Sequence, residues 1–219
     1  MKQLLLLFFF LASTRANAQG TLTLQDKPFV YDRTMDSSIW HELQNDKLFL
    51  SLQEQEQMMF YWTNYFRKNP KPFFNEVIKE FIKQFPEANT REIGSLENDI
   101  NKITEKLPLL LPDKGLLLMT KLHSSDLVKR GGVISHRSSA GKVFVQRIKD
   151  AGFYKCGAEN IYVGTNDALE ALIALMVDYG VPDKGHRMNL LDPKFNKMGV
   201  SFPFTSPKKG LLVQVFACL

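Results

Sequence analysis

Residues 156–164 read Cys-Gly-Ala-Glu-Asn-Ile-Tyr-Val-Gly, and this stretch decides the fold class. In an extended chain, the odd-numbered residues from Glu159 to Val163 face one side and the even-numbered residues from Ala158 to Tyr162 face the other. The stretch therefore predicts a β-strand.

The segments before this strand have the period of a helix instead. Apolar residues recur at spacings of three and four, and prolines, glycines or capping side chains bound each run. The pattern predicts five helices. The first runs from Met58 to Phe66 and is stopped by Pro70 and Pro72, and the second runs from Phe74 to Phe85 and is ended by Pro86. The third is capped by Ser95 and has an apolar face from Leu96 to Leu107, the fourth is capped by Asp113 and closed by Gly131-Gly132, and a short fifth runs from Val143 to Asp150.

After the strand, Asp167 and Glu170 form a capping-box pattern that predicts a helix, which Gly180 and Pro182 end. Two strand candidates follow, residues 198–204 and 211–217, and a turn-rich segment joins them as an antiparallel hairpin. Helices followed by a strand, a helix and a hairpin indicate an α+β fold in which a small, mainly antiparallel sheet lies between helical layers.

The N-terminus predicts export. Lys2 precedes an unbroken apolar run from Leu4 to Ala12, and Ala16-Asn17-Ala18 is an A-x-A cleavage signal. We therefore expect residues 1–18 to be a signal peptide and the mature protein to be extracellular or periplasmic. Residues 19–50 show little sustained period and suggest an N-terminal extension, with one domain over residues 51–219.

Charge and cysteine content narrow the function classes. The chain carries 28 basic and 23 acidic residues, a net charge of +5. Loss of Lys2 and Arg15 with the signal peptide lowers this to +3. The basic residues are scattered along the sequence, which indicates a solvated surface and argues against nucleic acid as a partner. Cys156 and Cys218 either form a disulfide, as exported proteins tend to do, or remain free and buried.

Four side chains at element ends or in loops are the candidates for chemistry. His136 follows the Gly131-Gly132 break, Glu159 lies on the strand, Asp178 ends the helix after it, and His186 lies in the next loop. Functional groups are often displayed in such places. A strand carboxylate such as Glu159 needs a partner if it is buried, and a histidine would serve. His123 lies on the apolar side of its helix, which predicts a core histidine bonded to a backbone carbonyl.

These motifs resemble the CAP superfamily (SCP-like; cysteine-rich secretory proteins, antigen 5 and pathogenesis-related 1), and specifically its bacterial SCP-like branch, from about residue 55 to 219. The resemblance rests on an N-x-x-R-x-x-P segment at residues 64–70 and on motifs in family order: Ser135-His136, Gly157-Ala-Glu159-Asn160-Ile161, Gly185-His186-Arg187, Pro193 and Met198-Gly199-Val200.

The resemblance implies an α/β/α sandwich with a groove lined by two histidines and two acids. His136, Glu159 and His186 match three of these positions. Asp178 is the best-placed carboxylate for the fourth, where eukaryotic members have a glutamate. Such a set can hold a divalent cation, with Zn²⁺ the first choice, or form a hydrogen-bonded network without metal. Asn160 and Arg187 are expected to line the groove, and the segment from Gln84 to Leu107 to overhang it.

Three functions follow as hypotheses. The first is a secreted module that binds a small molecule, a lipid, a cell-wall fragment or a protein, and it is favoured because the sequence has neither a G-x-S-x-G nor an H-E-x-x-H motif. The second is an extracellular hydrolase of peptide, peptidoglycan or ester, in which either His136 or His186 acts as general base or a cation activates water, with Glu159 as the third candidate catalytic group. The third is a lipid or sterol carrier, as proposed for some relatives.

Overall fold

The computed structural model describes residues 24–32 and 35–219. The predicted signal peptide and its cleavage site near Ala18 lie outside the described residues. Over the described part, the helices are α1 (Ser37–Gln44), α2 (Lys47–Leu50), α3 (Glu54–Lys68), α4 (Pro70–Phe73), α5 (Lys79–Gln84), α6 (Arg91–Asn101), α7 (Lys114–Lys129), α8 (Phe144–Asp150), α9 (Ala168–Val177) and α10 (Gly185–Leu191).

The strands form one mixed sheet in the order β1-β3-β5-β2, and β4 pairs with the start of β5. The strands are β1 (Leu111–Pro112), β2 (Gly157–Gly164), β3 (Lys197–Ser201), β4 (Phe204–Ser206) and β5 (Lys209–Ala217). The predicted strand and hairpin are confirmed, since β5 pairs antiparallel with both β2 and β3. The parallel strand β1 was not predicted, because two residues carry no readable period.

Helices cover both faces of the sheet, which confirms the predicted α/β/α sandwich. On one face, Leu116 and Leu127 of α7 and Ile148 of α8 pack against Ile161 and Val215. On the other face, apolar side chains of α3 and α9 form the larger core. The alternation predicted along β2 is found: Ile161 and Val163 pack in the first of these cores, and Ala158 and Tyr162 pack in the second. Gly199 allows the close approach of α7 to β3, because a Cβ there would lie 2.5 Å from the Leu116 backbone.

Several helix boundaries differ from the sequence expectation. Pro70 does not only stop α3: it occupies the first turn of α4, where a missing N–H costs nothing. This helix runs on through a π-helical turn, Phe74–Ile78, into α5. Helix α6 begins after Thr90, so the predicted cap Ser95 lies inside it. Asp113 and Asp167 cap α7 and α9 as predicted.

Residues 24–50 are not a loose extension over the part that the structure describes. Helices α1 and α2 form there, and Phe29, Leu43 and Phe49 are buried in the larger core. Glu170 was expected to complete a capping box, but its carboxylate accepts the Phe29 N–H at 2.9 Å. The period was missed because these helices are only eight and four residues long.

The two cysteines form a disulfide that ties the start of β2 to the chain just after β5. The bond lies beside the last ladder pair, Gly157 with Ala217, and so closes the end of the sheet. Among the described residues, no helix is both long enough and apolar enough to cross a membrane.

Candidate functional site

His136 and Glu159 form the first pair of the site. The Nδ1 atom of His136 lies 2.8 Å from Oε1 of Glu159. The Glu159 side chain is almost completely buried, whereas the His136 side chain is 55% exposed. The expected convergence of these two residues is therefore found. Because Nδ1 faces the carboxylate, Nε2 is the ring nitrogen left for a ligand.

Arg147 of α8 completes this pair and was missed by the sequence reading. Its guanidinium binds both oxygens of Glu159 at 2.9 Å, and it also donates to the carbonyl of His136 at 3.0 Å. Burial lowers the pKa of Arg147, and the Glu159 carboxylate counters that effect. This bidentate contact supplies the partner that a buried carboxylate requires. The sequence did hold a signal for this contact, because an arginine on the inward face of an amphipathic helix needs an acidic partner in the interior.

His123 of α7 lies behind the pair. Its Nε2 donates to the carbonyl of Ser135 at 2.9 Å, which confirms the prediction of a core histidine bonded to the backbone. The same nitrogen is 4.0 Å from Glu159 Oε1. Burial lowers the pKa of His123, so a neutral imidazole holds the loop that carries His136.

Asp178 and His186 form a second pair. The Nδ1 atom of His186 lies 2.6 Å from Oδ1 of Asp178, and Oδ2 accepts the backbone N–H groups of His186 and Arg187. His186 therefore lies in the first turn of α10 and not in a loop. This helix was missed because its cap comes from Asp178, eight residues upstream. Asp178 itself adopts the left-handed conformation, with φ 56°, in which aspartate is tolerated.

Asn160 and Arg187 do not line a groove, because both are fully buried. Asn160 donates to the carbonyl of His186 at 3.3 Å and accepts from Asn189 at 2.8 Å, so it ties β2 to α10. Arg187 turns inward and donates to the carbonyls of residues 176 and 177, and to the carboxylate of Asp99. Its role is to join α6, α9 and α10.

A cleft of about 430 Å³ opens beside the second pair. Asp178 and His186 lie in its wall, whereas His136 and Glu159 do not. The other lining residues are mostly apolar, apart from Thr165 and Glu170, and come mainly from the N-terminal segment, α5, β2, α9 and the chain just after α9, including Leu24, Phe81, Ile161, Val163, Ile173, Ala174, Val177 and Tyr179. Helix α6 and most of the segment before it lie elsewhere: of residues 84–107, Ala88 alone is among the lining residues.

Comparison with known proteins settles the family. The model of the CAP, or cysteine-rich secretory protein, family matches residues 60–218, which is well over half of the chain. The chain belongs to the CAP family. No curated protein sequence matches it significantly.

Three solved structures are similar to this CAP protein. The first is an extracellular protein containing a SCP domain from Bacillus anthracis, which is 23% identical with a TM-score of 0.48. The match covers 75% of this chain but only 40% of the B. anthracis chain. The second is an outer surface protein of Borrelia burgdorferi, which is 22% identical with a TM-score of 0.43. The match covers 58% of this chain and 87% of the B. burgdorferi chain. The venom allergen-like protein 4 of Schistosoma mansoni is 13% identical with a TM-score of 0.46, covering 76% and 90%.

The four predicted metal ligands of this CAP domain do not fit a four-ligand zinc site as they are arranged. Glu159 gives its oxygens to Arg147 and His136, and Asp178 gives its oxygens to His186 and to two backbone N–H groups. Within residues 24–32 and 35–219, no three His, Cys, Asp or Glu side chains are grouped to hold a metal ion. Structural zinc sites take four ligands, and here only the two Nε2 atoms are uncommitted.

Proposed function

We propose that this CAP domain is an exported binding module whose cleft holds an apolar ligand with one polar end. The observation that carries the proposal is the cleft itself, in which apolar walls enclose a single oriented histidine, His186. Binding sites for small molecules commonly have this composition, with few polar groups that fix orientation, and volumes of roughly 300–1,000 Å³.

The His186–Asp178 pair determines which polar end fits. Asp178 accepts from Nδ1, so the neutral ring presents Nε2 as an acceptor for a hydroxyl group. When the ring is protonated, Nε2 donates instead and suits a carboxylate. The His186 side chain is 14% exposed, so its Nε2 is accessible to a ligand in the cleft although the surrounding wall is mostly apolar. Long-chain alcohols and fatty acids have this combination of groups.

Export is part of the proposal. It is supported by the signal-peptide pattern of residues 1–18 and by the disulfide, since disulfides persist in oxidising compartments. The B. anthracis and B. burgdorferi proteins are described as extracellular and outer surface proteins.

A fluorescent fatty acid, dansyl-undecanoic acid, tests the cleft. Ala174 lines it from α9 and is only partly buried, so Ala174→Phe should fill the space without disturbing the core. The matched control is Ala140→Phe, in an exposed loop outside the cleft. We expect the wild type and the control to enhance dansyl emission with equal affinity, and Ala174→Phe to weaken binding at least about tenfold.

Unchanged affinity in Ala174→Phe would show that the probe binds elsewhere and would contradict the proposal. Absence of binding to the wild type would contradict it equally. His186→Phe, measured with the dansyl acid and with a long-chain dansyl alcohol, then tests the polar end: both affinities should fall.

The His136–Glu159 pair favours a second candidate, an extracellular hydrolase. A histidine whose Nδ1 is bound by a carboxylate is oriented as a general base, and His136 is exposed enough to reach a substrate. Peptide, ester and cell-wall fragment substrates would be screened with the wild type and with Glu159→Gln. Turnover by the wild type that falls at least about a hundredfold in the variant supports this candidate, and equal turnover by both removes it.

A divalent cation stays an untested prediction at His136, Glu159, Asp178 and His186. Binding of Zn²⁺ there would require the carboxylates to leave their present partners. Calorimetric titration of the metal-free protein with Zn²⁺, repeated with His136→Ala and His186→Ala, measures it. Uptake that both variants lose supports the site, and uptake that both retain removes it.

A further inference from the structure

We propose that the outer surface formed by α7, α8 and the turn after them docks on an anionic lipid surface. This use is independent of the cleft, whose walls come from other elements apart from Ile134 of the loop after α7. The proposal rests on the arrangement of exposed basic and apolar side chains, on their lack of ion-pair partners, and on the local charge.

The exposed side of α7 is a narrow stripe of lysines and leucines. At 100° per residue, its members fall within a sector of ~100°. We call this set the α7 stripe: Lys114, Leu118, Lys121, Leu122, Ser125 and Lys129. Leu118 and Leu122 are 58% and 64% exposed, although apolar residues of the same helix on the opposite side are buried.

The lysines of the stripe are free to meet an external anion. Among the described residues, the side-chain ammonium groups of Lys114, Lys121 and Lys129 have no ion-pair or hydrogen-bond partner; the one bond to Lys121 is to its backbone carbonyl, which accepts from Ser124. The nearby acid Asp126 is already bound to the N–H of Ser139 and to Arg130, so it does not neutralise the stripe.

Helix α8 extends the same surface. It turns Arg147 and Ile148 inward, which leaves Val145 and Lys149 on the outside of the layer that it forms with α7. Tyr154, in the turn that follows, is 76% exposed. Lys155 is exposed beside it. The only acid exposed on α8, Asp150, is paired with Lys142 at 2.7 Å.

The local charge exceeds that of the chain as a whole. Residues 113–155 contain nine basic and three acidic residues, a net charge of +6, against +5 for all 219 residues. The rest of the chain is therefore slightly acidic. The expectation of scattered basic residues was wrong for this segment, because helical spacing separates the lysines in sequence while aligning them on one surface.

The apolar members identify a lipid surface rather than a soluble polyanion. A nucleic acid or an acidic polysaccharide would satisfy the lysines but would leave Leu118, Leu122 and Tyr154 without apolar contacts. A membrane interface takes both, since leucines enter the headgroup boundary while lysines meet anionic headgroups. Tyrosine is also enriched at such interfaces.

Vesicle sedimentation tests the proposal. The protein would start at Gln19, because the apolar run from Leu4 to Ala12 would itself enter lipid; all the buried core of the structure, from Phe29 onward, is retained. The variants are Lys121→Glu with Lys129→Glu, and Leu118→Ser with Leu122→Ser. The matched control is Lys47→Glu with Leu50→Ser, an exposed pair on α2.

We expect binding to phosphatidylcholine vesicles carrying about one third phosphatidylglycerol, and none to pure phosphatidylcholine. The Lys121→Glu, Lys129→Glu variant should bind more weakly, by about fivefold or more for each positive charge removed, and rising salt should weaken binding further. The leucine pair should weaken it as well, whereas the control should bind as the wild type. Circular dichroism and melting temperature check that each variant is folded.

Three outcomes would overturn the proposal. The first is equal binding to both kinds of vesicle or to neither. The second is equal loss in the α2 control. The third is that the protein binds heparin as tightly as anionic vesicles and that the Leu118→Ser, Leu122→Ser variant binds as the wild type does. That result would identify the surface as a polyanion site.

Discussion

Two carboxylates orient the two histidines of the candidate site, and each carboxylate is fully engaged within the protein. Glu159 is held by Arg147 and Asp178 by the first N–H groups of α10. The rings are therefore fixed through Nδ1, and each presents Nε2. This arrangement gives oriented hydrogen-bonding groups, which suits ligand recognition, without leaving carboxylate oxygens for a cation.

Removing Glu159 should expose how much the buried ion pair contributes. In Glu159→Ala, the buried Arg147 guanidinium loses its counterion, and we expect the free energy of unfolding to fall by about 3–5 kcal/mol. Glu159→Gln keeps a carbonyl acceptor and should cost less. Urea denaturation measures both, and Glu159→Ala combined with Arg147→Met should recover part of the loss. Equal, small losses in all three variants would contradict this description.

His123 should make stability depend on pH. Burial lowers its pKa below the ordinary value near 6.5, and Arg147 lowers it further, although Glu159, Ser135 and Asp126 raise it. The unfolded chain then binds more protons than the folded one below about pH 6.5, so stability falls as the pH drops through that range. His123→Gln keeps a donor to Ser135 and should show a flatter dependence from about pH 7 to 5. Parallel curves would contradict the prediction.

The elements show which features a sequence can predict. Helix α7 and strand β2 were readable because a cap, a breaker or an alternation marks each within a few residues. The start of α10 and the start of α6 were not readable. The first depends on a carboxylate eight residues upstream, and the second has Thr90 at its cap position without a side-chain capping bond, whereas Ser95 nearby looks like a cap. The His136–Glu159 pair was predicted from motif order, whereas Arg147, Asn160 and Arg187 needed side-chain directions that only the fold supplies.

The disulfide should stabilise the sheet by closing a chain segment of 62 residues between Cys156 and Cys218. Replacing both cysteines by serine should lower the free energy of unfolding by about 2–4 kcal/mol, because the unfolded chain gains freedom. Chemical denaturation of this variant, and of the wild type with and without reductant, would measure the effect. Reduction that leaves the wild type unchanged would show that the bond does not constrain the chain.

At the scale of the whole molecule, the described residues of the segment 24–50 are built into the domain although the family match begins at residue 60. Phe29 is buried against Phe81 and Phe85, and its N–H is held by Glu170, a residue of the cleft wall. The N-terminal segment therefore completes both the core and the cleft, and a boundary at residue 51 would divide them.

Phe29→Ala tests that dependence. Loss of a buried aromatic side chain should lower the free energy of unfolding by about 3 kcal/mol and weaken dansyl-undecanoic acid binding, since Leu24 would no longer be held at the cleft. The exposed neighbour Val30, which is 70% exposed, gives the control Val30→Ala. Equal stability of the two variants would show that the segment is peripheral.

The most direct test of the cleft as a ligand site is to find what it carries. The protein would be purified from its native cells and their medium, extracted with organic solvent, and the extract analysed by mass spectrometry beside that of Ala174→Phe. We predict an apolar compound with a hydroxyl or carboxyl end, in near-stoichiometric amount, from the wild type and a strongly reduced amount from the variant. The same compound in equal amount from both proteins would contradict the account.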